Sequence, residues 1–150
     1  MKTLRLIGFG ITPLAIGFLL NWVMLSLPII NGFLYMLLSL VILILWGYFA
    51  YKLSEPAYNS IIQSLLLCAF GLVMLALVLY QELVLGAYWG NIIGFATQMF
   101  FLPWISLVST IMSPLMGVFR LWPLYIAIWA ILFIVSCIGC IIKNTWGNTI

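Results

Sequence analysis

Long apolar runs separated by isolated charged residues form the main pattern along this chain. Residues 37–45 are typical, because a single serine interrupts a run of leucine, isoleucine and valine. A transmembrane β-strand would instead alternate polar and apolar residues over about ten positions. A helix satisfies all its backbone hydrogen bonds within one apolar segment. The pattern therefore predicts an all-α integral membrane protein.

The charged residues divide the chain into intervals whose lengths predict the number of helices. A membrane-spanning helix needs about 20 predominantly apolar residues. The charge-free interval at residues 6–51 is long enough for two such helices, and those at 56–81 and 121–142 each fit one. The four predicted spanning helices are residues 6–27, 33–51, 57–80 and 122–142.

Prolines and polar residues predict where these helices bend, begin and end. Pro13 lies inside the first helix and predicts a kink, since proline removes a backbone donor. Ser54 and Pro56 suit the start of the third helix. Pro123 suits the first turn of the last helix. Residues 144–150 are predicted to form a short polar tail.

The interval at residues 83–119 is too long for one spanning helix and short for two. Pro103, Pro114 and Gly117 lie in its second half and disfavour a regular helix. Counting lysine and arginine does not decide its path. Four basic residues lie on one side and one on the other, both for five spans and for four spans with an outside re-entrant segment. We expect four spanning helices plus a fifth segment that is broken, re-entrant or interfacial.

One face of this segment carries glycines at a spacing typical of close helix contacts. Gly86, Gly90 and Gly94 repeat at positions i, i+4 and i+8. Small residues at this spacing let two membrane helices approach closely. At about 100° per residue, Asn91 and Gln98 fall on the same side as the glycines. The face predicts an interface with another helix.

Composition supports lipid as the solvent of this chain. Of its 150 residues, 67% are hydrophobic and 5% are charged, whereas a soluble domain carries about a quarter of its residues as charges. The net charge of +3 is scattered rather than clustered, so we expect no nucleic-acid partner. The basic residues are expected to orient the protein with its N-terminus in the cytoplasm. We expect one polytopic domain, residues 1–150, in a cell membrane, and the compact loops favour a bacterial cytoplasmic one.

Glu82 lies between two apolar runs and is the most informative ionisable residue. An acid inside a membrane marks a proton or cation site by default, whereas a water-exposed turn is the simpler interpretation. Asn91 and Gln98 would extend such a site into a polar path for a solute. Hydrogen bonding between helices is the alternative role for these amides, and it is the one we favour.

Cys137 and Cys140 form a C-x-x-C pair, which can bind metal or carry out thiol exchange. Redox pairs depend on a helix N-terminus or a nearby cation to stabilise the thiolate. This pair lies in the last turns of an apolar helix instead. The chain has no histidine, and Cys68 is its only other cysteine, so a four-ligand zinc site is not expected. We interpret the thiols as structural and expect no metal or cofactor.

No catalytic motif is present, since the chain lacks a Walker loop, a nucleophile elbow and an H-E-x-x-H sequence. We therefore expect a non-enzymatic protein that acts through helix–helix association, as an accessory subunit of a membrane complex or as a homo-oligomer. The alternative is a small transporter or channel for an ion or small solute. It would use residues 83–119, because interrupted helices at membrane depth line cavities. A third hypothesis, a lipid-modifying or thiol-redox enzyme, depends only on the C-x-x-C pair.

Overall fold

The computed structural model describes residues 2–26, 32–56, 58–86, 92–113 and 121–146, and all their regular elements are helical. These elements are α1 (Lys2–Phe9), α2 (Thr12–Ser26), α3 (Gly32–Leu53), α4 (Ser60–Tyr80), a π-helical turn (Gln81–Leu85), α5 (Ile92–Met112) and α6 (Leu121–Trp146). Among the described residues, five stretches are long and apolar enough to cross a membrane: Leu4–Ser26, Gly32–Leu53, Ser60–Leu85, Ile92–Met112 and Leu121–Thr145. The chain thus has the helices of a multi-pass membrane protein.

The first apolar stretch bends just before Pro13, where α1 ends and α2 begins. Leu14 N donates to Ile11 O at 3.0 Å, three residues back instead of four. The Thr12 hydroxyl donates to Phe9 O at 2.7 Å and satisfies a carbonyl at the end of α1. Proline disrupts the regular ladder at such a point because it has no N–H and its ring crowds the preceding turn. The helix is interrupted at the position where the kink was predicted.

The start of α4 differs from the predicted one. Asn59 caps the helix, because its Oδ1 accepts a hydrogen bond from Ile61 N at 2.8 Å. The Ser54 hydroxyl instead donates to Tyr51 O at 3.0 Å and closes the end of α3. The assignment of Ser54 and Pro56 to the start of the third helix is therefore wrong. An asparagine that bonds the first free N–H groups of the helix outweighs the proline signal.

The last helix is longer than predicted. α6 continues to Trp146, so the prediction of a polar tail from residue 144 is wrong for its first three residues. Asn144 stays helical because its side chain has partners on the neighbouring helix. Its Nδ2 donates to Ser60 Oγ at 2.7 Å and lies 3.4 Å from Tyr58 O. Residues 147–150 lie outside the described part of the chain.

α4 and α6 run antiparallel, which fixes the direction of the chain between them. Their contacts pair residues in opposite order: Ser60 with Asn144, Ser64 with Cys140, and Cys68 with Ser136. α4 therefore begins where α6 ends, and we call this the lysine end, since Lys52 and Lys143 lie there. If each of the five apolar stretches crossed the membrane in turn, α4 and α6 would be the third and fifth crossings and would run parallel. Because they run antiparallel, α4 ends and α6 begins at the end of the bundle opposite the lysine end. The chain between them therefore leaves the bundle and returns to it at that same end.

α5 is one continuous helix that passes through Pro103. The expectation that this proline interrupts the segment at residues 83–119 is wrong. Residues 83–85 belong to the π-helical turn that extends α4, so they are not part of the same helix as Pro103. Pro114 and Gly117 lie outside the described residues.

Aromatic side chains of α5 form the centre of the core. Phe100, Phe101 and Trp104 are each at most 1% exposed. The ring of Phe101 lies 5.0 Å from that of Tyr125 on α6, and the ring of Trp104 lies 6.1 Å from that of Trp46 on α3. Van der Waals packing is the main force between helices in lipid. α5 is therefore held by its neighbours on several sides.

Candidate functional site

Small polar side chains recur at every fourth residue on the facing sides of α4 and α6. Residues four apart lie on one face of a helix, so each set forms a line along its helix. The two lines, which together we call the polar seam, consist of Ser60, Ser64 and Cys68 on α4 and Ser136, Cys140 and Asn144 on α6. The spacing is visible in the sequence, but the pairing of the two lines is not.

The outer part of the polar seam joins three helices near the lysine end. Asn144 Nδ2 donates to Ser60 Oγ at 2.7 Å. One turn further in, the Ser64 hydroxyl lies 3.5 Å from Cys140 Sγ. The Cys140 thiol in turn lies 3.9 Å from the carbonyl oxygen of Ala50 on α3. These groups therefore bond across neighbouring helices, although Asn144 Oδ1 is buried without a hydrogen-bond partner in the described part of the chain.

The inner part of the polar seam centres on the Ser136 hydroxyl. This hydroxyl donates to Leu132 O at 2.7 Å and accepts from Trp46 Nε1 at 2.9 Å. Its proton is thereby used, so the Cys68 thiol, 3.5 Å away, acts as the donor in their contact. The carbonyl of Cys68 accepts from Trp129 Nε1 at 3.3 Å. Ser136 thus links α3, α4 and α6 through one fully used oxygen.

The three thiols are free, and the structure does not pair them with one another. Cys140 contacts Ser64, and Cys68 contacts Ser136, while Cys137 is half-buried. Among the described residues, no group of three histidine, cysteine or acidic side chains is placed to hold a metal ion. The chemistry of the polar seam is therefore hydrogen bonding between helices. A structural role for the C-x-x-C pair stays a prediction.

Gly17 lets α2 touch the backbone of α5 beside Pro103. Proline has no N–H, so the carbonyl of Met99, four residues earlier, loses its usual donor within the helix. A Cβ atom at Gly17 would overlap that carbonyl oxygen. Contacts between a Cα–H group and a carbonyl oxygen recur where membrane helices approach closely. Neighbouring helices commonly cover backbone groups that a proline frees, and α2 does so here.

Two further glycines allow similar contacts elsewhere in the bundle. A Cβ atom at Gly10 would overlap the carbonyl oxygen of Leu67 on α4. A Cβ atom at Gly139 on α6 would lie 2.5 Å from the carbonyl oxygen of Gly47 on α3. Sequence reasoning missed these positions. Gly10 lies in the break between α1 and α2, so no spacing along a single helix would have linked it to Gly17.

The structure separates the glycines that were predicted to form one interface. Gly86 ends the π-helical turn in the left-handed region, with φ of 59°, and is exposed. Gly94 is buried within α5, and its carbonyl accepts from the Thr97 hydroxyl at 2.8 Å. Gly90 lies outside the described residues. The two described glycines therefore do not share a helix, and their role in an interface with a partner stays a prediction.

The predicted polar path is only partly described. Glu82 lies in the π-helical turn, half-buried, and Gln98 lies half-buried on α5. No hydrogen bond between described residues joins the two, and Asn91 lies outside the described residues. Gln81, beside Glu82, is 3% exposed. Gln81 Oε1 and Glu82 Oε2 are both buried without a hydrogen-bond partner in the described part of the chain. π-helical turns often mark functional positions.

Comparison of the chain with protein-family models, curated proteins and solved structures finds no match.

Proposed function

We propose that this chain is a non-enzymatic polytopic membrane protein that acts through helix–helix association, as an accessory subunit of a membrane complex or as a homo-oligomer. The π-helical turn carries the proposal. Gln81 Oε1 and Glu82 Oε2 are buried there without a donor among the described residues, beside Leu83 and Val84, which are 62% and 65% exposed. Unpaired polar atoms are costly in lipid. A partner helix that packs on this turn would bury Leu83 and Val84, and it would supply donors once the turn opens enough to expose the two oxygens.

The polar seam supports a role in helix–helix association rather than a catalytic role. Its hydroxyl, thiol and amide N–H groups bond to one another, to backbone carbonyls and to neighbouring side chains, as Ser136 does with Leu132 O and Trp46 Nε1. These groups hold the chain together and leave no reactive arrangement among themselves. The outer surface, which is largely apolar, is therefore the part of the protein that can contact other molecules.

Purification from native membranes in mild detergent, followed by native mass determination, tests this proposal. We expect a stoichiometric partner or a defined homo-oligomer. Gly90→Leu is expected to abolish the assembly, because a large side chain blocks close approach of two helices. Gly8→Leu is the matched control, since nothing lies within 4 Å of a Cβ atom there. A monomeric wild type without a partner, or an assembly unchanged in the Gly90 variant, would contradict the proposal.

The direction of the helices favours four membrane crossings over five. We propose that the first apolar stretch, α3, α4 and α6 cross the membrane, and that α5 belongs to a re-entrant segment. The antiparallel α4 and α6 support this path. Ser106 supports it too, because its hydroxyl lies 3.4 Å from the carbonyl of Gly32, which begins α3 at the end opposite the lysines. Arg5, Lys52 and Lys143 then share one side, which the positive-inside rule assigns to the cytoplasm.

A small transporter or channel is the second candidate function. A cavity of about 160 Å³ between α2, α3 and α5 favours it, and Tyr35, Ser39 and Ser106 contribute polar groups to its lining. Neither Glu82 nor Gln98 lines this cavity. Reconstituted vesicles should show flux of protons, cations or small organic cations if the protein transports them. Flux that is lost in Ser106→Leu, which narrows this cavity, would favour transport over association, whereas flux lost only in Glu82→Gln and Gln98→Ala would place the path at the predicted residues instead.

A further inference from the structure

A groove runs along the outer surface between α3 and α6 and reaches the lysine end. Its volume is about 440 Å³. Gly47 and Gly139 form its floor, where the two helix backbones come close together. Its walls are almost wholly apolar and consist of Ile44, Tyr48, Tyr51, Val135, Ile138 and Ile142. A surface of this shape and polarity suits a hydrocarbon chain.

Two lysines lie at the end of this groove. Lys143 Nζ is 5.0 Å from the centre of the Tyr51 ring, and Lys52 Nζ is 5.7 Å from that of the Tyr48 ring. Both rings line the groove, so each ammonium group is held over a groove wall. Lysine side chains near helix ends extend towards the membrane interface. Two positive charges are therefore placed at headgroup level above an apolar groove.

We infer that this groove binds an anionic phospholipid, with one acyl chain along the groove and the phosphate beside Lys52 and Lys143. The charge of the lysines selects the headgroup, since basic pockets between membrane helices bind anionic lipids. A zwitterionic lipid would fill the groove equally well but would gain less from the two ammonium groups. This site depends on the membrane location of the chain and not on the proposed association.

Native mass spectrometry of the delipidated protein tests the headgroup. The protein is incubated in mild detergent with equal amounts of phosphatidylglycerol and phosphatidylcholine of the same acyl length. Wild type is expected to retain phosphatidylglycerol preferentially. Each lysine is expected to contribute about fivefold to this preference, so Lys52→Gln with Lys143→Gln should lower it by about 25-fold. Arg5→Gln is the charge control and should leave the preference unchanged, because Arg5 does not line the groove.

A second pair of variants tests the groove itself. Ile138→Trp fills it and is expected to lower retention of both lipids, whereas Ile134→Trp, also exposed on α6 but outside the groove, should not. Equal retention of both lipids by wild type, or an equal loss of preference in the Arg5 variant, would overturn the inference. A lipid-free dimer that Ile138→Trp dissociates would also overturn it, since a second copy would then occupy the groove. If Ile138→Trp does not fold, the lysine variants decide the question.

Discussion

At the scale of single residues, Gly17 shows how one missing side chain permits a helix contact. Its Cα faces the carbonyl of Met99, which Pro103 leaves without a donor in α5. Gly17→Ala should destabilise the fold by about 1–3 kcal/mol, as overpacking typically does. Thermal unfolding in detergent measures the loss. Gly8→Ala is the control, since its Cβ would meet nothing within 4 Å, and equal effects of both variants would show that the contact with Met99 is unimportant.

The second prediction at this scale concerns Ser136, because its hydroxyl oxygen accepts hydrogen bonds from both α3 and α4. Ser136→Ala leaves the Trp46 Nε1 donor without its acceptor, and a buried unsatisfied group costs about 1–3 kcal/mol. Ser109→Ala is the control, since that hydroxyl donates only to the carbonyl of Ser106 in its own helix. A double-mutant cycle with Trp46→Phe isolates the pair. A coupling energy near zero would contradict a role for this hydrogen bond.

At the scale of helices, the sequence predicts where the helices lie along the chain better than it predicts which helices pack against each other. Continuous apolar runs predict the spanning helices, and Pro13 predicts the bend in the first. The predicted start of α4 is wrong because two start signals compete in this connection, and the Asn59 side chain rather than that of Ser54 bonds a free N–H of the helix, that of Ile61. The contact of Gly17 with Met99 joins residues from distant parts of the chain. Such a pairing depends on tertiary packing, which no local pattern encodes.

The pairing of α4 with α6 gives a prediction at this scale. Ser64 Oγ lies 3.5 Å from Cys140 Sγ, so a cysteine at position 64 would bring two sulfur atoms close to bonding distance. Oxidised Ser64→Cys protein should contain a disulfide between α4 and α6, detected by peptide mass after digestion. Ile61→Cys, exposed on another face of α4, should not form one. A disulfide in neither variant, or in both, would contradict the register of the polar seam.

At the scale of the whole molecule, the antiparallel seam and the basic residues both support the orientation proposed above. Lys52 and Lys143 lie at one end because α3 ends and α6 ends there, and the ring contact of Phe9 with Phe49, with centroids 4.8 Å apart, brings α1 to the same end. The positive-inside rule counts lysines and arginines near helix ends, and by itself it left four and five crossings equal. The antiparallel direction of α6 relative to α4 supports the proposed four crossings, which charge counting alone does not.

Ser113, exposed at the end of α5, distinguishes the two topologies. With four crossings and a re-entrant segment, Ser113 lies on the same side of the membrane as Gly86, whereas a fifth crossing would place the two on opposite sides. Single cysteines at these positions are treated in intact cells with a membrane-impermeant maleimide, and wild type, whose own thiols are at least partly buried, provides the background. We expect both positions to react from outside.

Tyr58→Cys, in the connection between α3 and α4, should react only after permeabilisation. Labelling of Gly86→Cys but not of Ser113→Cys would establish five crossings and contradict the re-entrant segment.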